Sequence, residues 1–168
     1  MKPPAASSHD VFLSFRGSDV RNTFVDHLYA ALRRKRVRPF KDDVDLGRGE
    51  SVREGISRAI EGSSFYVVVL TRNYASSAWC LDELVKIMRC SSRDNHNGGG
   101  GGGNNTTFPI FYHLSPDDVS DVGCYYKDDF DRHKRRYTYE RVDGWIQALA
   151  WVVGVAGWVV TNLQYVCT

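Results

Sequence analysis

Short apolar runs separated by stretches of helical period leave this chain few folds to adopt. Residues 10–15 and 65–71 are nearly continuous apolar runs, as expected of strands covered on both faces. Residues 108–112 form another such run, and residues 37–43 a weaker one ending in Asp42 and Asp43. Between them, Phe24, Leu28 and Leu32 recur at i, i+4, i+8, and Val52, Ile56 and Ile60 repeat that spacing. Residues 79–89, 125–136 and 141–153 carry further helical patterns. Strands alternating with helices through crossovers of this length predict an α/β fold, a doubly wound parallel sheet with helices on both faces. Ligands of such folds gather outside the carboxyl ends of the strands. Here those ends carry Arg16-Gly17, Asp42-Asp43, Thr71-Arg72 and His113-Leu114.

A chain of 168 residues, 42% hydrophobic and 25% charged, suits one domain with a substantial core. Its net charge of +2 gives no bulk attraction for nucleic acid or membrane. The basic clusters 33–36 and 133–136 each follow an amphipathic segment and read as solvated helix ends. The four cysteines are widely spaced and form no CxxC pair, so neither a zinc site nor a disulfide framework is expected. The N-terminus lacks the apolar run of a signal peptide, and residues 1–8 read as a disordered lead-in. Together these features predict a reducing, cytoplasmic setting, extending to the nucleus. Residues 145–160 are almost wholly apolar, but fall short of the roughly 20 residues that span a bilayer. With Gly154 and Gly157 interrupting them, they read as a buried helix followed by a strand from Trp158. The glycine run 98–103 is not a phosphate-binding loop, because no Lys-Ser/Thr follows it, and reads as a flexible surface loop.

One helix carries the chemistry. On residues 79–89, Leu81, Leu84, Val85 and Met88 form an apolar stripe, while Trp79 and Glu83 stack at i, i+4 away from it. A carboxylate near a helix start is accounted for by the macrodipole alone, and an outward Trp by packing along the surface. The pair therefore admits a structural reading. It also forms a stacking platform beside a charge, suited to a cationic, ring-bearing ligand.

Several stretches, in this order, resemble the plant form of the TIR (Toll/interleukin receptor) domain family. They are residues 10–17, 24–32, 46–49, 73–84, 109–112 and 115–119, and the likeness covers roughly residues 9–160. The resemblance implies a flavodoxin-like domain over 9–168, with the 98–103 loop as an insertion. It implies an NAD+ hydrolase or cyclase of plant immune and cell-death signalling, which yields nicotinamide and ADP-ribose or its cyclic variants. NAD+ is then substrate, and no cofactor or metal is implied. The family's catalytic glutamate falls on Glu83 and its ring-stacking residue on Trp79. Arg16 and Gly17 match the loop bordering the substrate. The cysteine matching Cys80 is linked to a second, nucleotide-cyclising activity with nucleic acid as substrate. Asp43, Leu46, Gly47, Arg48 and Gly49 match the BB loop, which implies self-association into homo-oligomers and contact with other TIR proteins. Two departures stand out: Ser18 replaces the family's usual Glu, and the family usually continues past the position of Thr168 into a final self-association helix. The chain thus resembles a TIR-only protein or an excised domain.

A nicotinamide leaving group starts as a pyridinium cation and departs neutral, so it needs no general acid, and the two carboxylates of ordinary glycosidases become unnecessary. One carboxylate, Glu83, suffices to stabilise positive charge developing on the ribose, and its place near the helix start favours the ionised form. The alternative is a non-catalytic TIR adaptor, which needs no carboxylate at position 83. A phosphoacceptor receiver domain is excluded because it requires an aspartate where the third strand ends in Leu70-Thr71-Arg72.

Overall fold

The computed structural model describes residues 9–41, 51–92 and 105–161. Five strands, β1 (Val11–Phe15), β2 (Pro39–Phe40), β3 (Phe65–Leu70), β4 (Thr106–Tyr112) and β5 (Trp158–Val160), form one sheet in the order β2-β1-β3-β4-β5. Every pairing is parallel, with Phe12 opposite Tyr66 and Val67 opposite Phe108. The chain order reverses between β1 and β3, which opens a crevice at their carboxyl ends. This is the doubly wound parallel sheet that the alternating runs predict, and it is flavodoxin-like as the resemblance implies. Proline at the start of β2 fits an edge strand, where its missing N–H costs no ladder bond.

Side-chain alternation divides the core in two. Val11, Leu13 and Phe15 of β1 pack with Val67 and Val69 of β3 under α1 (Gly17–Val20), a π-helical turn (Arg21–Val25) and α2 (Asp26–Arg34). Phe12, Tyr66, Val68, Leu70 and Phe111 face the opposite layer, built from α3 (Val52–Gly62), α4 (Ala78–Ser92), α5 (Val122–Tyr125), α6 (Lys127–Lys134) and α7 (Tyr139–Val153). Ser14 belongs to this second face, and so points toward α4. Helix α2 stops where Arg36 adopts φ 63°, with Val37 N donating to Leu32 O and Arg36 N to Arg33 O. That left-handed cap satisfies two helix-end carbonyls and turns the chain into β2.

The apolar stretch 145–160 divides as expected into the end of α7 and β5, and no helix among the described residues is long and apolar enough to cross a membrane. Arg33 and Arg34 end α2, and Arg132, His133 and Lys134 end α6, which places the basic clusters at helix C-termini. The segment 125–136 differs from expectation by breaking at Tyr126 into α5 and α6. The expected second strand is described only as far as Lys41. The readings made for residues 1–8 and 98–103 lie outside the described residues.

Two glycines test this packing in opposite directions. A Cβ on Gly157 would lie 2.3 Å from the Pro109 carbonyl oxygen, whereas one on Gly144, inside α7, would meet nothing within 4 Å. Gly157→Ala should therefore strain the β4–β5 contact and cost about 1–3 kcal/mol. Gly144→Ala should gain up to about 1 kcal/mol through helix propensity. Thermal melts of the two variants, moving to opposite sides of the parent, check the assignment.

Candidate active site between α3 and α4

Helix α4 begins beside the carboxyl end of β1. Ser77 Oγ accepts from the Cys80 amide at 3.3 Å and so caps its first turn. Before it, the 3₁₀ turn Tyr74–Ser76 is locked by the fully buried Tyr74, and by His133 Nε2 donating to the Ala75 carbonyl at 2.8 Å. These anchors fix the rotation of α4. The buried residues are Cys80, Leu81, Glu83, Leu84, Ile87 and Cys90, while Val85 and Met88 are half-buried. The inward arc is thus turned by roughly one residue, about 100°, from the stripe that the sequence suggests. The outward placement of Glu83 is corrected accordingly: this carboxylate is only 7% exposed.

A buried carboxylate requires donors. Ser14 Oγ donates to Glu83 Oε2 at 2.9 Å and contacts the Tyr74 hydroxyl at 2.8 Å. Ser14 has one hydroxyl proton and gives it to Glu83, so the single phenol proton of Tyr74 is shared between Ser14 Oγ and the Cys80 carbonyl oxygen. The phenol also lies 3.2 Å from the Cys80 carbonyl oxygen. Burial, followed by the nearby Cys80 and Glu83 charges, pushes the Tyr74 phenol well above its ordinary range, so it stays neutral and available to donate.

Glu83 nonetheless reaches a pocket of about 240 Å³ between α3 and α4, walled by Arg53, Ile56, Ile60, Trp79 and Asp82. Trp79 is half-buried against the edge of the main core, and the Arg53 guanidinium lies over its ring, 5.1 Å from the centroid. Asp82 accepts from Arg141 Nη2 at 2.6 Å, Arg141 Nε at 3.3 Å and Trp145 Nε1 at 3.0 Å. This fixes α7 against the pocket rim, and the hydrogen bond to Asp82 holds the Arg141 pKa above its usual value. Lys86 is tied to Glu61 at 2.6 Å and to Ser57 Oγ.

The structure thus brings Trp79 and Glu83 together. Arg16 and Gly17, at the carboxyl end of β1, do not line this pocket. Arg16 Nε is buried without a hydrogen-bond partner among the described residues, and the Arg21 guanidinium fills the space of a Gly17 Cβ. Ser18 is exposed and bonds Asp19, which accepts from Thr71 Oγ1 at 2.5 Å and so ties this loop to the end of β3. The Cys80 thiol is also absent from the pocket wall: it is buried and donates to the Phe15 carbonyl at 3.4 Å. Asp43, Leu46, Gly47, Arg48 and Gly49 lie outside the described residues. Among the described residues, no group of three His, Cys, Asp or Glu side chains could hold a metal ion.

Sequence reasoning missed Ser14, Tyr74 and Arg53. A hydroxyl inside the otherwise apolar run 11–15 was a legible sign that something polar had to meet it. Tyr74 and Arg53 carried no such signal, since their roles depend on how three separate segments dock.

The TIR domain profile matches residues 8–167. Disease resistance protein RPV1 of Vitis rotundifolia is 40% identical over 162 residues, spanning 96% of this chain and 11% of that protein. TMV resistance protein N of Nicotiana glutinosa is 41% identical over 144 residues, spanning 84% of this chain and 12% of that protein. The chain therefore covers only about a ninth of the length of these relatives. Among solved structures, the TIR domains of the activated Roq1 resistosome, which directly recognises the pathogen effector XopQ, superpose with a TM-score of 0.81. They share 38% identity over 94% of this chain and 90% of that one.

Thiol accessibility gives a direct check on the site. Cys80 and Cys90 are buried and Cys124 is exposed. Under native conditions an alkylating reagent should modify Cys124 rapidly and leave Cys80 and Cys90 protected until unfolding, as read by peptide mass spectrometry. Early labelling of Cys80 would show that its thiol faces solvent.

Proposed function

The chain belongs to the TIR-domain family, and from that premise we propose that it cleaves the nicotinamide–ribose bond of NAD+, releasing nicotinamide and ADP-ribose or a cyclic variant in plant immune signalling. The observation that carries this reading is a carboxylate held by a buried hydroxyl while it reaches a ring-walled pocket. The pyridinium is already activated, so departure of neutral nicotinamide calls for no proton donor. What has to be stabilised is positive charge growing on the ribose, and a preoriented carboxylate does that without reorganising in the reaction. Glu83 is the catalytic residue in this account. Ser14 and Tyr74 are positioning residues: Ser14 holds one carboxylate oxygen, and the neutral phenol of Tyr74 holds Ser14. Trp79 supplies the face on which the departing ring stacks, a contact of roughly 0.5–2 kcal/mol. Arg16 and Gly17, at the end of β1, do not wall this pocket and take no part in the step.

Self-association belongs to the same proposal. Residues 43–51 carry two glycines and mixed charges and directly precede α3 in the sequence. Contact of that loop with a neighbouring copy would complete the pocket rim, and other TIR proteins are partners of the same kind. A nucleotide-cyclising role for Cys80 requires its buried thiol to become accessible. It is the weaker part of the family's repertoire for this chain.

An adaptor that works by docking alone has no use for a buried, hydrogen-bonded carboxylate opening onto a pocket. Glu83→Gln separates the two readings, because the amide keeps the size of the side chain and an oxygen to accept from Ser14. It should melt within a few degrees of the parent and lose nicotinamide release by about 10²-fold or more, the scale of deleting one preorganised electrostatic group. Undiminished release by a folded Glu83→Gln protein would remove Glu83 from the mechanism.

A further inference from the structure

The proposed nicotinamide platform is already occupied by a side chain of the protein. Trp79 supplies the one aromatic ring among the described residues lining the pocket, and the Arg53 guanidinium sits over it at a distance typical of a cation–π contact. Helix stability does not explain Arg53: it stands in the first turn of α3, where the macrodipole disfavours a cation. Nor does a firm ion pair. Arg53 Nη1 is 4.0 Å from Asp82 Oδ2, while both Asp82 oxygens already accept from Arg141 or Trp145. The Arg53 side chain is 69% exposed and thus free to swing, in contrast to Lys86, which Glu61 and Ser57 hold.

We propose that Arg53 is a specificity-determining residue that surrenders the face of Trp79 in exchange for a diphosphate, so that the pocket admits pyridinium nucleotides and resists bare pyridinium rings. The inference rests on the pocket being the nicotinamide site. A pyridinium ring competes for the same face as the guanidinium and is repelled by its charge. A bare ring must displace Arg53 with nothing to offer in return. A pyridine dinucleotide brings a diphosphate, which a guanidinium binds through paired, charge-assisted hydrogen bonds. The same cation is therefore an obstacle to one ligand and a contact for the other.

The test compares two probes, the pyridinium cation 1-methylnicotinamide and NAD+, by tryptophan fluorescence in a Glu83→Gln background that does not consume the nucleotide. A Trp79→Phe control identifies the signal of Trp79 among the four tryptophans. Arg53→Ala should bind 1-methylnicotinamide roughly two- to five-fold more tightly, the scale of one exposed cation–π contact. It should bind NAD+ more weakly, so that the preference for the nucleotide falls about tenfold. Arg53→Lys, which keeps the charge but loses the planar fork, should fall between the parent and Arg53→Ala. Unchanged or weaker binding of the bare ring, or an equal gain for both ligands, overturns the proposal. The catalytic reading fails separately. A parent protein that shows this Arg53-dependent selectivity yet never releases nicotinamide leaves the selectivity standing, and turnover without it leaves the catalysis standing.

Discussion

A carboxylate taken out of water has to be met by donors, and the hydrogen bond from Ser14 to Glu83 is where that requirement joins the sheet to the pocket. Ser14 lies on β1, an interior strand paired on both sides, and is in register with Val68 of β3, so its hydroxyl is held by the sheet itself. Tyr74 closes the arrangement from the turn before α4. Rotation of α4, seating of that turn and direction of the Glu83 carboxylate are consequently one geometric decision. A shift of α4 by one residue would take the carboxylate away from Ser14.

The same packing explains how a buried group can serve a ligand. Ser14 holds Oε2 of Glu83 from the sheet, and the residue lines the pocket between α3 and α4. Asp82, its neighbour in sequence, is held by Arg141 and Trp145 of α7. Adjacent acids thus have different duties set by their surroundings: Asp82 ties two helices together, and Glu83 faces the site.

Much of the architecture was legible because strand burial on both faces writes itself as unbroken apolar runs, and the crossover lengths then require a parallel sheet. The division of residues 145–160 into helix and strand was readable from Gly154 and Gly157. The rotation of α4 was not. A hydrophobic stripe assigns every carboxylate to the outside, and it has no means of recognising a Glu whose donor lies on a strand far away in sequence. Trp79 beside Glu83 was legible as a pair. Arg53 over Trp79 was not, because that contact exists only once α3 has docked on α4.

Whether this pocket breaks a glycosidic bond is decided by following NAD+ itself. NMR spectra of NAD+ incubated with the purified protein over a range of protein concentrations report substrate, nicotinamide and ribose products together. Nicotinamide and an ADP-ribose product should appear in equal amounts, with a specific rate that climbs as the protein is concentrated. NAD+ that persists unchanged at every protein concentration would contradict cleavage by this protein.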